Sequence, residues 1–185
     1  MTDELKSIYK GKGALDRYFD TLTPVDLFRG RKQGDSTDLM QPTLIGWVTQ
    51  RGPRNPDVLV NDAQSVSPQY QDAKHSTMVI EGKDKQKTAE ILRNADQYVV
   101  KGCRTMSGLH RGVSVFDKKN TGLKNFDWFK IDKGTKIHEA LAVTRDSSAP
   151  TSPLPIHYTI APKDDMPLSL FLQYLKSLQA VAKQD

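Results

Sequence analysis

A chain of 185 residues is long enough for one sizeable core and too short for two. Hydrophobic residues make up 37% and charged residues 26%, with ten prolines and twelve glycines, a soluble globular composition that leaves room for generous loops. No apolar run approaches the roughly 20 residues of a membrane helix, and the N-terminal "MTDELKSIYKGKG" lacks a signal-peptide core. No membrane partner and no classical export are therefore expected, while export by a specialised secretion machine would leave no such mark. Cys103 is the single cysteine and reads as a buried side chain, which excludes an internal disulfide and a multi-cysteine zinc site. The histidines at 75, 110, 138 and 157 do not fall at ligand spacing, so no metal is expected. Twenty-seven basic against 22 acidic residues give a net charge of +5. The lysines concentrate in "EGKDKQKTAE" and "DKKNTGLKNFDWFKIDKGTK", interleaved with acids. A solvated basic face is the simpler reading, because no nucleic-acid signature accompanies the charge. Nucleic acid is possible but not favoured as a partner; the charge suits an anionic ligand or an acidic protein surface.

From the N-terminus, "GALDRYFDTL" places Leu15, Tyr18, Phe19 and Leu22 at i, i+3, i+4 and i+7, which predicts one amphipathic helix. "TPVDLFRG" follows, with Pro24 as the break and a short strand from Val25 to Phe28. Residues 30–58 read mostly as loop around one short buried piece, "TLIGWV". "DVLV" reads as a strand and "NDAQSVSPQYQD" as loop. "KDKQKTAEILRNADQ" predicts a helix with Ala89, Leu92 and either Ala95 or Ile91 inward. "QYVVKGC" and "GVSVF" read as strands, the second ended by Asp117 and the loop "KKNTG". "FDWFKI" and "TKIHEAL" flank the turn "DKGT", and a flexible "DSSAPTSPLP" leads into "PIHYTIAP". Alternation there puts Ile156, Tyr158 and Ile160 on one face, with His157 and Thr159 on the other, a face that either meets water or lines a site. The clearest helix ends the chain. Pro167 suits its first turn, Asp164 or Asp165 can cap it, and Leu168, Phe171, Leu172, Leu175, Leu178 and Ala182 form its apolar stripe. Short strands mixed with helices, without regular β-α-β alternation, predict a single α+β domain.

Three strand-like elements carry candidate chemistry. In "DLFRG", Arg29 at a strand end can grip a phosphate or carboxylate with its fork, and Gly30 lets a ligand approach the backbone; an exposed arginine before a turn is the plainer alternative. In "HRGVSVFD", Ser114 stands mid-strand, where it is either half-exposed or a hydrogen-bonding partner for a ligand. The surrounding "GVSVF" is not the strained GxSxG elbow of a hydrolase. The third element carries His157 and Thr159, and a strand histidine is by itself more often structural than catalytic. No Walker or dinucleotide-fold phosphate loop is present.

The combination of "GVSVFD", "IDKGTKI", "EALAVTRDS" and "IHYTIAP" with the terminal helix, over about residues 111–178, resembles the small type VI secretion cytotoxins with an ADP-ribosyltransferase-like fold, the Tse-two type. "DLFRG" and "NPDVLV" extend the likeness more weakly, and about 69–108 stands as an insertion within one domain, 1–185. The resemblance implies a split antiparallel sheet and toxicity inside a target cell. It also implies dependence on NAD, a cognate immunity protein and an unknown cellular target. Such a toxin would be held in the producing cell's cytoplasm and delivered by specialised secretion to that of a target cell. By motif, Arg29, Ser114 and His157 would be the catalytic residues, and Arg29, Gly30, Ser114, His157 and Thr159 would contact NAD. Val113 departs from the threonine that precedes this serine in the family. The ExE motif of arginine-specific transferases is absent, and of the acids Glu139 and Asp146 neither is placed by a motif. The same site with water as acceptor would be an NAD glycohydrolase; without catalysis it would be a binding toxin.

Overall fold

β-branched and aromatic residues in short runs, separated by Gly, Pro and Asn, favour strands joined by tight turns. The structure, a computed structural model, describes residues 17–35, 38–40, 48–49, 52–53, 89, 92–100, 102–104, 112–145 and 155–185. Its strands are β1 (Arg17–Phe19), β2 (Leu27–Lys32), β3 (Val48–Thr49), β4 (Gly52–Pro53), β5 (Val99–Val100), β6 (Val113–Phe116), β7 (Phe126–Ile131), β8 (Leu141–Arg145), β9 (His157–Pro162), β10 (Met166–Pro167) and β11 (Lys183–Gln184). Seven of them form one sheet in the order β1-β8-β9-β6-β2-β7-β11, and β10 pairs with β5 and β3 with β4. Every pair within the large sheet is antiparallel.

One face of that sheet is the main core. Leu27, Val113, Val115, Ile131, Leu141, Val143, Tyr158 and Ile160 cluster with Leu168, Phe171, Leu175 and Leu178 of the C-terminal helix, Leu168–Val181. Burying a side chain of this size stabilises by about 1.5–3 kcal/mol, so the four helix residues hold the helix on the sheet. The predicted stripe is the observed one, with Leu172 and Ala182 packed at its margin. The cap differs. Pro167 is the N-cap, without a side-chain cap bond, and the Leu168 N–H donates to the Tyr98 carbonyl at 2.8 Å. Asp165 instead accepts from the Gly102 N–H at 2.8 Å, and Asp164 pairs with Arg104.

Those bonds fasten residues 102–104 across the other face of the sheet. Cys103 N–H donates to Pro162 and Arg104 N–H to Lys163, at 2.8 and 2.9 Å. Gly102 lies so close that a Cβ would stand 2.4 Å from the Asp164 backbone, which only glycine tolerates. Beneath the segment, Cys103, Ala142 and Ala161 are fully buried with Tyr18 against them.

Three predicted elements are corrected. Arg17–Phe19 is an edge strand on β8, not helix; Tyr18 packs on the Cys103 side and Phe19 on the main core, and Leu22 is exposed. Two covered faces hide a strand's alternation and mimic a helical stripe. β2 runs on to Lys32, which puts Arg29 mid-strand rather than at a strand end. The strand after the "DKGT" turn is Leu141–Arg145, not "TKIHEAL", where Leu141 N–H closes a turn onto the His138 carbonyl at 2.9 Å. The turn itself is as predicted, with Gly134 at φ 80° and Thr135 N–H donating to Asp132. Leu92 is helical and Ala95 is buried in a 3-10 turn. Leu15, Ile91, "DVLV", most of "TLIGWV", the 61–72 loop, "DSSAPTSPLP" before Pro155 and most of 69–108 lie outside the described residues.

Candidate functional site

Pairing of β6 with β9 sets Ser114 opposite Thr159 and Phe116 opposite His157. Diagonal neighbours on one sheet face are within side-chain reach. Ser114 Oγ and His157 Nε2 are in hydrogen-bond contact, both side chains half-buried. Asp117, next along the chain, anchors the start of the histidine strand: its carboxylate accepts from the Ile156 N–H at 2.8 Å.

On the other side of β6 the ladder nearly stops. Phe28 opposite Phe116 is the one register pair described between β2 and β6, whereas β2 pairs with β7 over its whole length. Where the ladder would continue, Arg29 takes over: Nη1 donates to the Ser114 carbonyl at 2.8 Å and Nε to the Leu39 carbonyl at 3.1 Å. The sheet is thus split between Gly30 and Ser114, and an arginine bridges the split.

Register separates the five candidates by face. Arg29 follows Leu27 on the helix-covered side, as does Arg31, whose guanidinium lies 5.1 Å over the Phe129 ring. Gly30, Ser114, His157 and Thr159 share the opposite face. Arg29 therefore meets Ser114 through its backbone and not beside its hydroxyl. Gly30 has no open space in front of it: a Cβ there would stand 3.1 Å from both Trp128 and Phe126 rings. Thr159 is 0% exposed, as is its cross-strand neighbour Thr144, so the two form a buried hydroxyl row between Ser114 and Tyr18. Burial, foremost, and the neighbouring Cys103 and Asp20 push the Tyr18 phenol above its ordinary range.

Aromatic rings flank the serine–histidine pair. Phe116 stands edge-on to His157 at 5.4 Å between centroids and to Trp128 at 6.3 Å. Sequence reading missed both rings as parts of the site; the signal available was their place in strands beside Ser114 and Gly30. Of the acids considered, Glu139 is exposed in the turn before Leu141, which pairs with Pro162. That is five residues along β9 from His157, about 17 Å at strand rise. Asp146 lies outside the described residues. Among the described strand residues that share the face of Ser114, none is a carboxylate. Among the described residues, no three His, Cys, Asp or Glu side chains gather as a metal set, and no helix is long and apolar enough to cross a membrane.

The sheet, its split and the helix that backs it are those of an α+β domain of ADP-ribosyltransferase type. The family comparison goes further. Residues 27–185, most of the chain, match the family described as Tse2 ADP-ribosyltransferase toxin, and the chain belongs to that family. It is a toxin of ADP-ribosyltransferase class, whose members take NAD as substrate. Comparison with curated proteins returns no match.

Proposed function

We propose that this chain is a cytotoxic effector, delivered by specialised secretion, that uses NAD inside a target cell and is held in check by a cognate immunity protein. The observation that carries the site is the Ser114–His157 contact beside the split between β2 and β6. In this reading Ser114 and His157 hydrogen-bond the nicotinamide-side ribose, and Phe116 walls the same face. Arg29 acts as a positioning residue by fixing the Ser114 backbone, and Thr159 supports Ser114 from a buried position. Gly30 makes room for rings of the protein, not for NAD.

Cleavage sends the nicotinamide–ribose bonding pair to nicotinamide and leaves an oxocarbenium-like ribose. An acceptor hydroxyl or amine then bonds that carbon and gives up its proton, which His157 can take. Positioning and electrostatics, not a protein nucleophile, would carry such a step.

The test combines purified protein and NAD labelled in its adenylate half with a lysate of susceptible cells. Nicotinamide release with label on a macromolecule is expected, and loss of both in His157→Ala at a parental melting temperature. Release with label only in free ADP-ribose would make the protein a glycohydrolase. Toxicity without nicotinamide release would overturn the NAD reading in favour of a binding toxin.

A further inference from the structure

His157 has to present one ring nitrogen to Ser114, and a half-buried imidazole on a strand needs something to hold its plane. The structure supplies a row of rings across three strands. Phe116 lies directly opposite His157 on β6 and meets it edge-on, with centroids 5.4 Å apart and planes at 76°. Behind it Trp128 meets Phe116 at 6.3 Å and 70°. Phe126 lies 6.4 Å from Trp128 on the same face. Between the tryptophan's strand and β6 runs β2, and the residue opposite Trp128 there is Gly30. A methyl at Gly30 would press on Cη2 and Cζ3 of Trp128 and on Cδ1 of Phe126, at 3.1, 3.2 and 3.1 Å. Only a missing side chain lets the tryptophan lie across β2 and reach Phe116.

We propose that Phe116 is a positioning residue for His157, and that Gly30 is required as glycine because it admits the Trp128 ring that backs Phe116. The proposal rests on the reading that His157 serves the NAD site. Edge-to-face contacts are directional, so they orient a ring where a shapeless apolar contact only buries it. Leucine at 116 keeps apolar bulk and removes the directional contact; tyrosine keeps the ring.

Two readouts separate positioning from packing. In kinetics of nicotinamide release, Phe116→Leu should lower kcat about tenfold or more and leave KM for NAD within about twofold, since a misplaced catalytic group costs rate more than binding. Phe116→Tyr should restore kcat to within about threefold of the parent, and Gly30→Ala should lower it in the same direction by a smaller factor. The second readout is NMR of the protein without NAD. A nuclear Overhauser contact between the His157 ring and the Ser114 β-protons should be present in the parent and in Phe116→Tyr, and lost in Phe116→Leu. A Phe116→Leu protein that melts earlier yet keeps both the contact and the parental kcat overturns the proposal and leaves Phe116 as packing alone. If the parent releases no nicotinamide, the functional reading fails by itself, and the Overhauser contact still decides whether Phe116 orients His157.

Discussion

Arg29 joins the Ser114 carbonyl, on the β6 edge that faces the split, to the Leu39 carbonyl of a buried turn. A half-buried polar group stripped of its partner costs about 1–3 kcal/mol. Arg29→Ala should therefore melt at lower temperature and lose nicotinamide release, because the Ser114 backbone is no longer held. Arg29→Lys offers a point charge in place of a fork and should recover only part of both. A stable Arg29→Ala protein with weakened NAD binding alone would instead show the guanidinium on the ligand. Ser114→Ala leaves that contact intact and tests the hydroxyl that meets His157 instead. It removes a neutral hydroxyl, leaves the Ser114 carbonyl where Arg29 can hold it, and should cost less activity than His157→Ala at an unchanged melting temperature.

At the level of elements, readability followed how many faces each one buries. The terminal helix was plain in the sequence because one stripe, Leu168 to Leu178, is fully buried, with Leu170, Leu172 and Tyr174 half-buried at its margin and exposed positions beyond. β6 was plain because buried Val113 and Val115 alternate with half-buried Ser114 and Phe116; β9 buries both faces from Tyr158 on and was marked instead by its β-branched and aromatic residues, and the Ser114 and His157 positions came with them. β1 was not, because Tyr18 and Phe19 are both packed, on opposite faces. Nor was the face of Arg29, which depends on a register with β7 that no local pattern encodes. Thr159, expected to contact a ligand, is buried between its cross-strand neighbours Ser114 and Thr144, and its exposure depends on pairings with β6 and β8 that are distant in sequence. The strand β1 also makes a pH prediction. The Tyr18 phenol is pushed up chiefly by burial, so the folded state keeps the proton after the unfolded chain has released it. Its contribution to stability is complete below the ordinary phenol value near 10 and falls as pH climbs from there towards the raised value. Melting temperature should drop more steeply above about pH 10 in the parent than in Tyr18→Phe, which has no phenol to ionise. Parallel curves for the two proteins would show that the hydroxyl is solvated.

For the whole molecule, charge matters more to encounter than to fold. The net charge is +5, and Lys32, Lys118, Lys124, Lys133, Lys136 and Lys176 are exposed. Several other cations are matched on the surface, Lys119 with Asp185 at 2.7 Å and Lys130 with Asp132 at 3.3 Å among them. Pairs of this kind contribute little to stability, of the order of 0–1 kcal/mol. The unbalanced remainder is a positive field that would draw an acidic partner from a distance and is screened within about 10 Å at 0.1 M salt. The proposed immunity protein would have to capture the toxin before NAD chemistry begins, so a fast encounter would be worth more to it than further contact area. Its association rate with this chain should fall about tenfold or more between low salt and about 0.5 M, while its dissociation rate changes little, as rim charges act mainly on encounter. Stopped-flow binding across a salt series measures both. An association rate indifferent to salt would mean that the exposed lysines play no part in capture, and that the partner recognises this toxin through apolar contact alone.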